Sequence, residues 1–287
     1  MVQYFNKYPM KPFLFVVILS LALSSVLPAQ SRDVSDALAQ MESALSQTGA
    51  DISSQDAYFL GRAVAANILT RYRIYTQKPA ATGYLNQICA AITINSPVPV
   101  IYNGYHVAIL DSPALDAFAT PGGHIFVCRG LLEALPNEDA LAAILAHEIA
   151  HIQLRHSIEI IKDMRLTQDL SNVADRAARI AGLNEKKMGF ENSVREMVNT
   201  LVLNGYSRKQ EFEADIYALK LLAIAGYSPS SLVDVLTLFQ QRGKTGSFNG
   251  THPQPALRIT NVQRELTLHP VQDTRSFRVS RFASSLR

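Results

Sequence analysis

Apolar residues recur at three- and four-residue steps through most of this chain, and the stretches that keep this period, Ser31 to Leu69 and Ala80 to Ile94, read as helices. Between Val98 and Gly130 the pattern changes. β-Branched and aromatic residues alternate with turn formers, and Pro121-Gly122-Gly123 reads as a turn between two strands. NEDALAAILAHEIAHIQLRH then restores the helical step with Leu141, Ala142, Ile144, Leu145, Ile149 and Ile152. Asn137 is positioned to cap this helix, Glu138 and Asp139 fall in its first turn, and its apolar content predicts burial. SRKQEFEADIYALKLLAIAGY, SLVDVLTLFQQ and PALRITNVQREL continue the helical pattern. The expected fold is α+β and mainly helical, with a small antiparallel sheet or hairpin beside the buried helix.

The first residues stand apart from this pattern. Lys7 and Lys11 precede an apolar run from Phe13 to Leu27, and Leu27-Pro28-Ala29 suits a cleavage site, so residues 1–29 are expected to be a signal peptide. The run is shorter than the roughly 20 residues of a usual membrane span; an uncleaved N-terminal anchor is the alternative. No later stretch is apolar enough to cross a bilayer, so no stable span is expected in the mature chain. One domain is predicted over residues 30–270, with a helical insertion at 168–204 as a candidate lid and a polar tail at 271–287.

Charge narrows the partners. The chain has 27 Lys and Arg against 24 Asp and Glu, and loss of residues 1–29 removes two lysines, giving 25 − 24, or +1. Such a balance excludes no fold but makes no case for nucleic-acid binding. Cys89 and Cys128 lack zinc-knuckle spacing; export permits a disulfide between them, while buried free thiols are the expectation.

The chemistry concentrates in HEIAHIQLRH. Helical geometry puts His147 and His151 on one face, one turn apart, with Glu148 bordering them, as a catalytic zinc requires. Such a site takes three protein ligands and leaves a position for water. His156 follows His151 by five residues, an offset of about 140° on a helix, so it is expected to cap or flank the helix rather than share the metal. A carboxylate from the later helix is the remaining candidate. Glu211 would complete a His-His-Glu set, with Asp215 one turn along accepting an outer ring N–H of a ligand histidine. Spacing alone equally allows Glu211, Glu213 and Asp215 to form a solvated face paired with Arg208, Lys209 or Lys220.

Taken together, DAFATPGGHIFVCRGLLEAL, NEDALAAILAHEIAHIQLRH, SRKQEFEAD and THPQPALRI, in that order from Asp116 to Ile259, resemble the zinc metallopeptidase family that includes the CaaX prenyl protease, the heat-shock membrane protease HtpX and periplasmic proteases of outer-membrane quality control. The resemblance implies a gluzincin-like fold and one Zn2+ per chain, held by His147, His151 and Glu211. It also implies Glu148 as general base and Asp215 behind the ligands. Asp116, Ala117, Phe118, Ala119, Thr120, Pro121, Gly122 and Gly123 would form the edge strand that binds substrate; the family more often has Asn where Asp116 stands. His252 and Arg208 are candidates for regulation or for stabilising the oxyanion, with His252 able to hold the enzyme latent at the fourth zinc position.

The function expected is therefore a zinc-dependent endopeptidase acting through metal-activated water on unfolded or misassembled envelope proteins. Its partners would be polypeptide substrates and the envelope assembly machinery, and its location the bacterial periplasm. A catalytically weak chaperone or adaptor using the same cleft is the alternative.

Overall fold

A computed structural model describes residues 52–162, 194–195, 198–199, 205–243, 252, 255–266 and 275–286. The expected signal peptide at 1–29, almost all of the 168–204 insertion and the part of the predicted Ser31 to Leu69 helix that precedes residue 52 lie outside the described residues. Among the described residues the elements used below follow in order: α1 (Ser54–Leu69), α2 (Pro79–Thr93), β1 (His106–Leu110), β2 (Ala117–Ala119), β3 (His124–Cys128), α3 (Arg129–Ala134), α4 (Glu138–Gln153), α5 (Arg208–Ala225), α6 (Ser231–Gly243), α7 (Pro255–Glu265) and α8 (Arg275–Leu286). The chain is mainly helical around one small sheet, as its periodicity predicts.

The sheet is mixed rather than antiparallel. Its order is β1-β3-β2, with β1 parallel to β3 and β2 antiparallel to it. The expected hairpin exists between β2 and β3, but β1 reaches the far side of β3, so the strands adjacent in space are not all adjacent in sequence. Period-two alternation sends the strands' side chains to two separate cores. Val107, Ile109, Ala117, Ala119, Ile125 and Val127 join the cluster of α2, α4 and α5. Leu110, Phe118, Phe126 and Cys128 face the other way, into the cluster built on α1. Both faces are thus covered by helix, and β2 ends as an edge strand.

Helix α1 presses closely onto the β2–β3 turn. A Cβ on Gly61 would lie 1.7 Å from the carbonyl oxygen of Pro121, and one on Gly122 only 2.3 Å from the Tyr58 backbone, where φ is also +73°. Only glycine allows the two backbones to meet there.

Helix α4 is the centre of the molecule. Every residue from Glu138 to His151 is buried. Asn137 caps it, its side chain accepting from Ala140 N at 2.9 Å. Alanines at 140, 142, 143, 146 and 150 are all essentially inaccessible and let neighbouring helices approach closely.

Burial of the first turn leaves Glu138 and Asp139 in need of partners. Glu138 accepts from Tyr84 Oη at 2.5 Å and Tyr227 Oη at 3.0 Å, and pairs with Arg281. Asp139 accepts from Arg278 Nε at 3.0 Å and Nη2 at 2.8 Å, and from Ser228 N at 3.0 Å. Both arginines come from α8. Residues 275–286 of the expected polar tail are therefore a helix folded back on the start of α4.

Burial pushes the Glu138 carboxyl upward, but hydrogen bonds from Arg281, Tyr84 and Tyr227 outweigh this and hold it below the ordinary 4.5. Its contribution to stability is accordingly complete above pH 4.5 and is lost as pH falls through the lower folded value. Arg278→Ala leaves buried Asp139 without its cation and should cost about 3–5 kcal/mol in urea unfolding at neutral pH. A loss under 1 kcal/mol would contradict this account.

Candidate active site

The cluster is assembled by two helices that cross. α4 offers His147 and His151 from one face. α5 begins at the cap Ser207, whose hydroxyl accepts from Gln210 N while the Gln210 side chain accepts from Ser207 N, and this reciprocal cap sets Glu211 in the first turn. His147 Nε2 and His151 Nε2 stand 3.1 Å apart, and Glu211 oxygens lie 3.7 Å from the first and 3.5 Å from the second. Zinc bonded tetrahedrally at about 2.0–2.2 Å needs neighbouring donors about 3.3–3.5 Å apart, and these three edges bracket that value. The donor set fits zinc.

The charges suit a cation as well. Burial disfavours the protonated form of His147 and His151 and lowers both, keeping their lone pairs free. Burial would raise Glu211, but His252 and Arg258 beside it hold it well below the ordinary carboxylate range. Glu148, next to His147, is only 2% exposed and is pushed up to about 7, chiefly by burial. Its Oε2 is buried with no hydrogen-bond partner among the described residues. A carboxylate so placed suits proton transfer near neutral pH.

A fourth donor is present. His252 Nδ1 lies 2.8 Å from Glu211 Oε1 and 3.3 Å from His147 Nε2, and its Nε2 is 3.2 Å from the carbonyl oxygen of Ala117 and 3.5 Å from Glu148 Oε1. One ligand atom from each of His147, His151, Glu211 and His252 falls within 4.8 Å of all the others. His252 thus touches both the donor triangle and the edge strand.

Asp215 accepts from the outer ring N–H of His147, with Oδ1 3.1 Å from Nδ1. Behind it stands Arg258 of α7, which was not among the residues expected at the site. Its Nε and Nη2 donate to Asp215 at 2.8 and 2.7 Å, and Nη1 lies 2.8 Å from Glu211 Oε2 as an ion pair without good hydrogen-bond geometry. The available clue was the period of PALRITNVQREL. It puts Arg258 on the same face as Val262, and both are buried while Leu257 is exposed. Arg208 is exposed at the first turn of α5, so the guanidinium that reaches Glu211 is that of Arg258.

Among the expected edge-strand residues, Ala117, Phe118 and Ala119 form β2. The strand pattern extends at both ends, with Cys128 N donating to Asp116 O at 2.9 Å and Thr120 N to His124 O at 2.8 Å. Gly122 and Gly123 turn the chain with φ of +73° and +105°.

The description "Peptidase family M48" matches residues 79–266, well over half of the chain. The chain belongs to this family. M48 relatives include the mitochondrial metalloendopeptidase OMA1 of Schizosaccharomyces pombe, 34% identical over 169 residues that cover 56% of this chain and 47% of that protein. The Escherichia coli K12 beta-barrel assembly-enhancing protease is 22% identical over 190 residues, covering 64% of this chain and 39% of that protein. OMA1 of Saccharomyces cerevisiae is 26% identical over 174 residues, covering 56% and 46%. The aligned part of the M48 chain spans less than half of each of these relatives.

Replacing Arg258 tests the charge balance of the M48 site. Arg258→Met leaves Glu211 and Asp215 buried without their shared cation and should lower stability by about 3–5 kcal/mol. Arg208→Ala, on an exposed first turn, should stay within about 0.5 kcal/mol by the same urea titration. Equal losses would refute the assignment.

Proposed function

We propose that this M48 chain is a zinc-dependent endopeptidase of the cell envelope that cleaves unfolded or misassembled proteins. The observation that supports this most is the triangle of His147, His151 and Glu211 donors with the Glu148 carboxylate beside it. Zinc, when bound there, supplies a Lewis acid that polarises a carbonyl and makes water nucleophilic at neutral pH. Glu148 accepts the proton of the attacking water and delivers it to the departing amine. Asp215 keeps the His147 ring oriented, and Arg258 keeps Asp215 and Glu211 ionised. The β2 edge offers main-chain groups to an extended peptide, which favours unstructured polypeptide over a particular sequence.

A narrow apolar recess beside His147 and Glu148 adds one preference. Leu232, Val235, Leu236 and Phe239 of α6 wall it together with Ile144 of α4. An apolar substrate side chain next to the scissile bond would bury itself there.

His252 serves as a latch in this reading. Burial disfavours its charge, yet Glu211 and then Glu148 raise it to about 10. That pull falls away once Glu211 serves a cation, leaving His252 neutral with a lone pair for the fourth position. Its contact with Ala117 O also occupies an acceptor that a substrate N–H would use. Regulation here is a matter of moving one loop residue.

Export through residues 1–29 to the bacterial periplasm, with an uncleaved anchor as the alternative, belongs to the same proposal. No helix among the described residues is long and apolar enough to cross a membrane. The name of one set of relatives, concerned with β-barrel assembly, supports an envelope setting and makes assembly machinery a reasonable partner, while the other set is named as mitochondrial.

Casein digestion checks the catalytic claim: Glu148→Gln should lose roughly 100-fold or more of the rate, and a chelator should abolish the wild-type rate. Activity surviving both would point instead to client binding without hydrolysis. His252→Ala should raise the basal rate, and an unchanged rate would rule out the latch.

A further inference from the structure

The two zinc-ligand histidines of the proposed site are buried, so the ring nitrogen that each turns away from the donor triangle needs its own partner. Asp215 supplies it for His147. For His151 the partner is a residue expected only to cap or flank the helix: His156 Nδ1 lies 2.8 Å from His151 Nδ1, and His156 is 2% exposed. An uninterrupted helix would carry it away from His151. The helix does not continue, because α4 ends at Gln153, Leu154 closes it, and Arg155 takes a left-handed φ of +60°. That single reversal brings position 156 back beneath the last turn.

We infer that His156 is a positioning residue that fixes the tautomer and ring direction of His151. This inference rests on the zinc reading above. The proton inventory leaves one solution. With Nε2 of His151 directed at the metal, its Nδ1–H donates to Nδ1 of His156. His156 must then be neutral and hold its proton on Nε2, which faces Glu213 Oε2 at 3.5 Å.

The same turn braces His151 from a second direction. Tyr206 stacks on the His151 ring with centroids 3.9 Å apart and planes 14° from parallel, and its hydroxyl lies 2.7 Å from Ser157 Oγ. His156 therefore sets the edge of the imidazole while Tyr206, tied to the neighbouring Ser157, sets its face. The two ligands are also supported unequally. A carboxylate backs His147 and a neutral imidazole backs His151, which makes His151 the less basic donor and the one whose geometry depends on a turn rather than on a helix.

Zinc affinity measured by chelator competition on the purified protein tests this without reference to activity. His156→Leu should weaken zinc binding about 10–100-fold, and His156→Asn, which keeps an acceptor near the position of Nδ1, should recover most of that loss. A purely structural role would not distinguish the two variants in this way. Ring 15N shifts of the zinc-loaded wild type provide a reading that needs no substitution, with His151 expected protonated at Nδ1 and His156 at Nε2. Wild-type affinity in His156→Leu, equal weakening in both variants, or a proton on Nδ1 of His156 would overturn the inference while leaving the zinc site intact. Failure of the wild type to take up zinc would overturn the metallopeptidase reading itself.

Discussion

Two ionised carboxylates buried on one helix need a positive charge, and most of this architecture follows from how that need is met. Glu211 and Asp215 stand one turn apart on α5, 1% and 0% exposed, against the helix α4, which is buried from Glu138 to His151. Arg258 answers both with one planar group, paired through two nitrogens to Asp215 and through the third to Glu211. Lysine, a single point charge, would not span the two. The arrangement still leaves one negative charge in excess among these three side chains, and that excess suits a divalent cation between neutral imidazoles. Docking of α7 on α5 is a consequence of this compensation, while α4 and α5 pack through a shared apolar core.

A similar rule operates at the other end of α4. Acidic residues at a helix start are ordinary when solvated, but Glu138 and Asp139 are enclosed, and α8 exists where it does because its arginines complete them. The central helix is therefore fixed at its N-terminus by two arginines of α8, and at the site by Asp215 of α5, which faces His147 and is itself held by Arg258 of α7. Between these ends its surface is alanine and aliphatic, with no polar group to define its rotation. The charged contacts at the two ends supply that definition.

Much of the site was legible because helical spacing is a local rule. Positions four apart share a face whatever the rest of the chain does, so His147 and His151, and Glu211 and Asp215, were readable as pairs, and the expected cap Asn137 agrees with its helix. What escaped reading depended on departures from regular geometry or on distant partners. His156 looked misdirected because a helix was assumed to continue through Arg155, whose left-handed backbone has no signal in an arginine. Arg258 was not singled out: helical period puts it on the face of Val262, but only the tertiary packing shows that this face of α7 is inward. The sheet was expected to be antiparallel because alternation reports which residues share a face, not which strand lies beside which; β1 and β3 pair in parallel across an intervening strand in sequence.

The two cysteines lie on opposite sides of that sheet. Cys89 belongs to the core shared by α2 and α4, Cys128 to the one beneath α1, and both are free and buried. Burial pushes each thiol up to about 12, so neither supplies a thiolate at neutral pH. The sheet itself keeps them from meeting. Maturation of this fold accordingly waits on no disulfide between these two thiols, whether the compartment that houses it is oxidising or reducing.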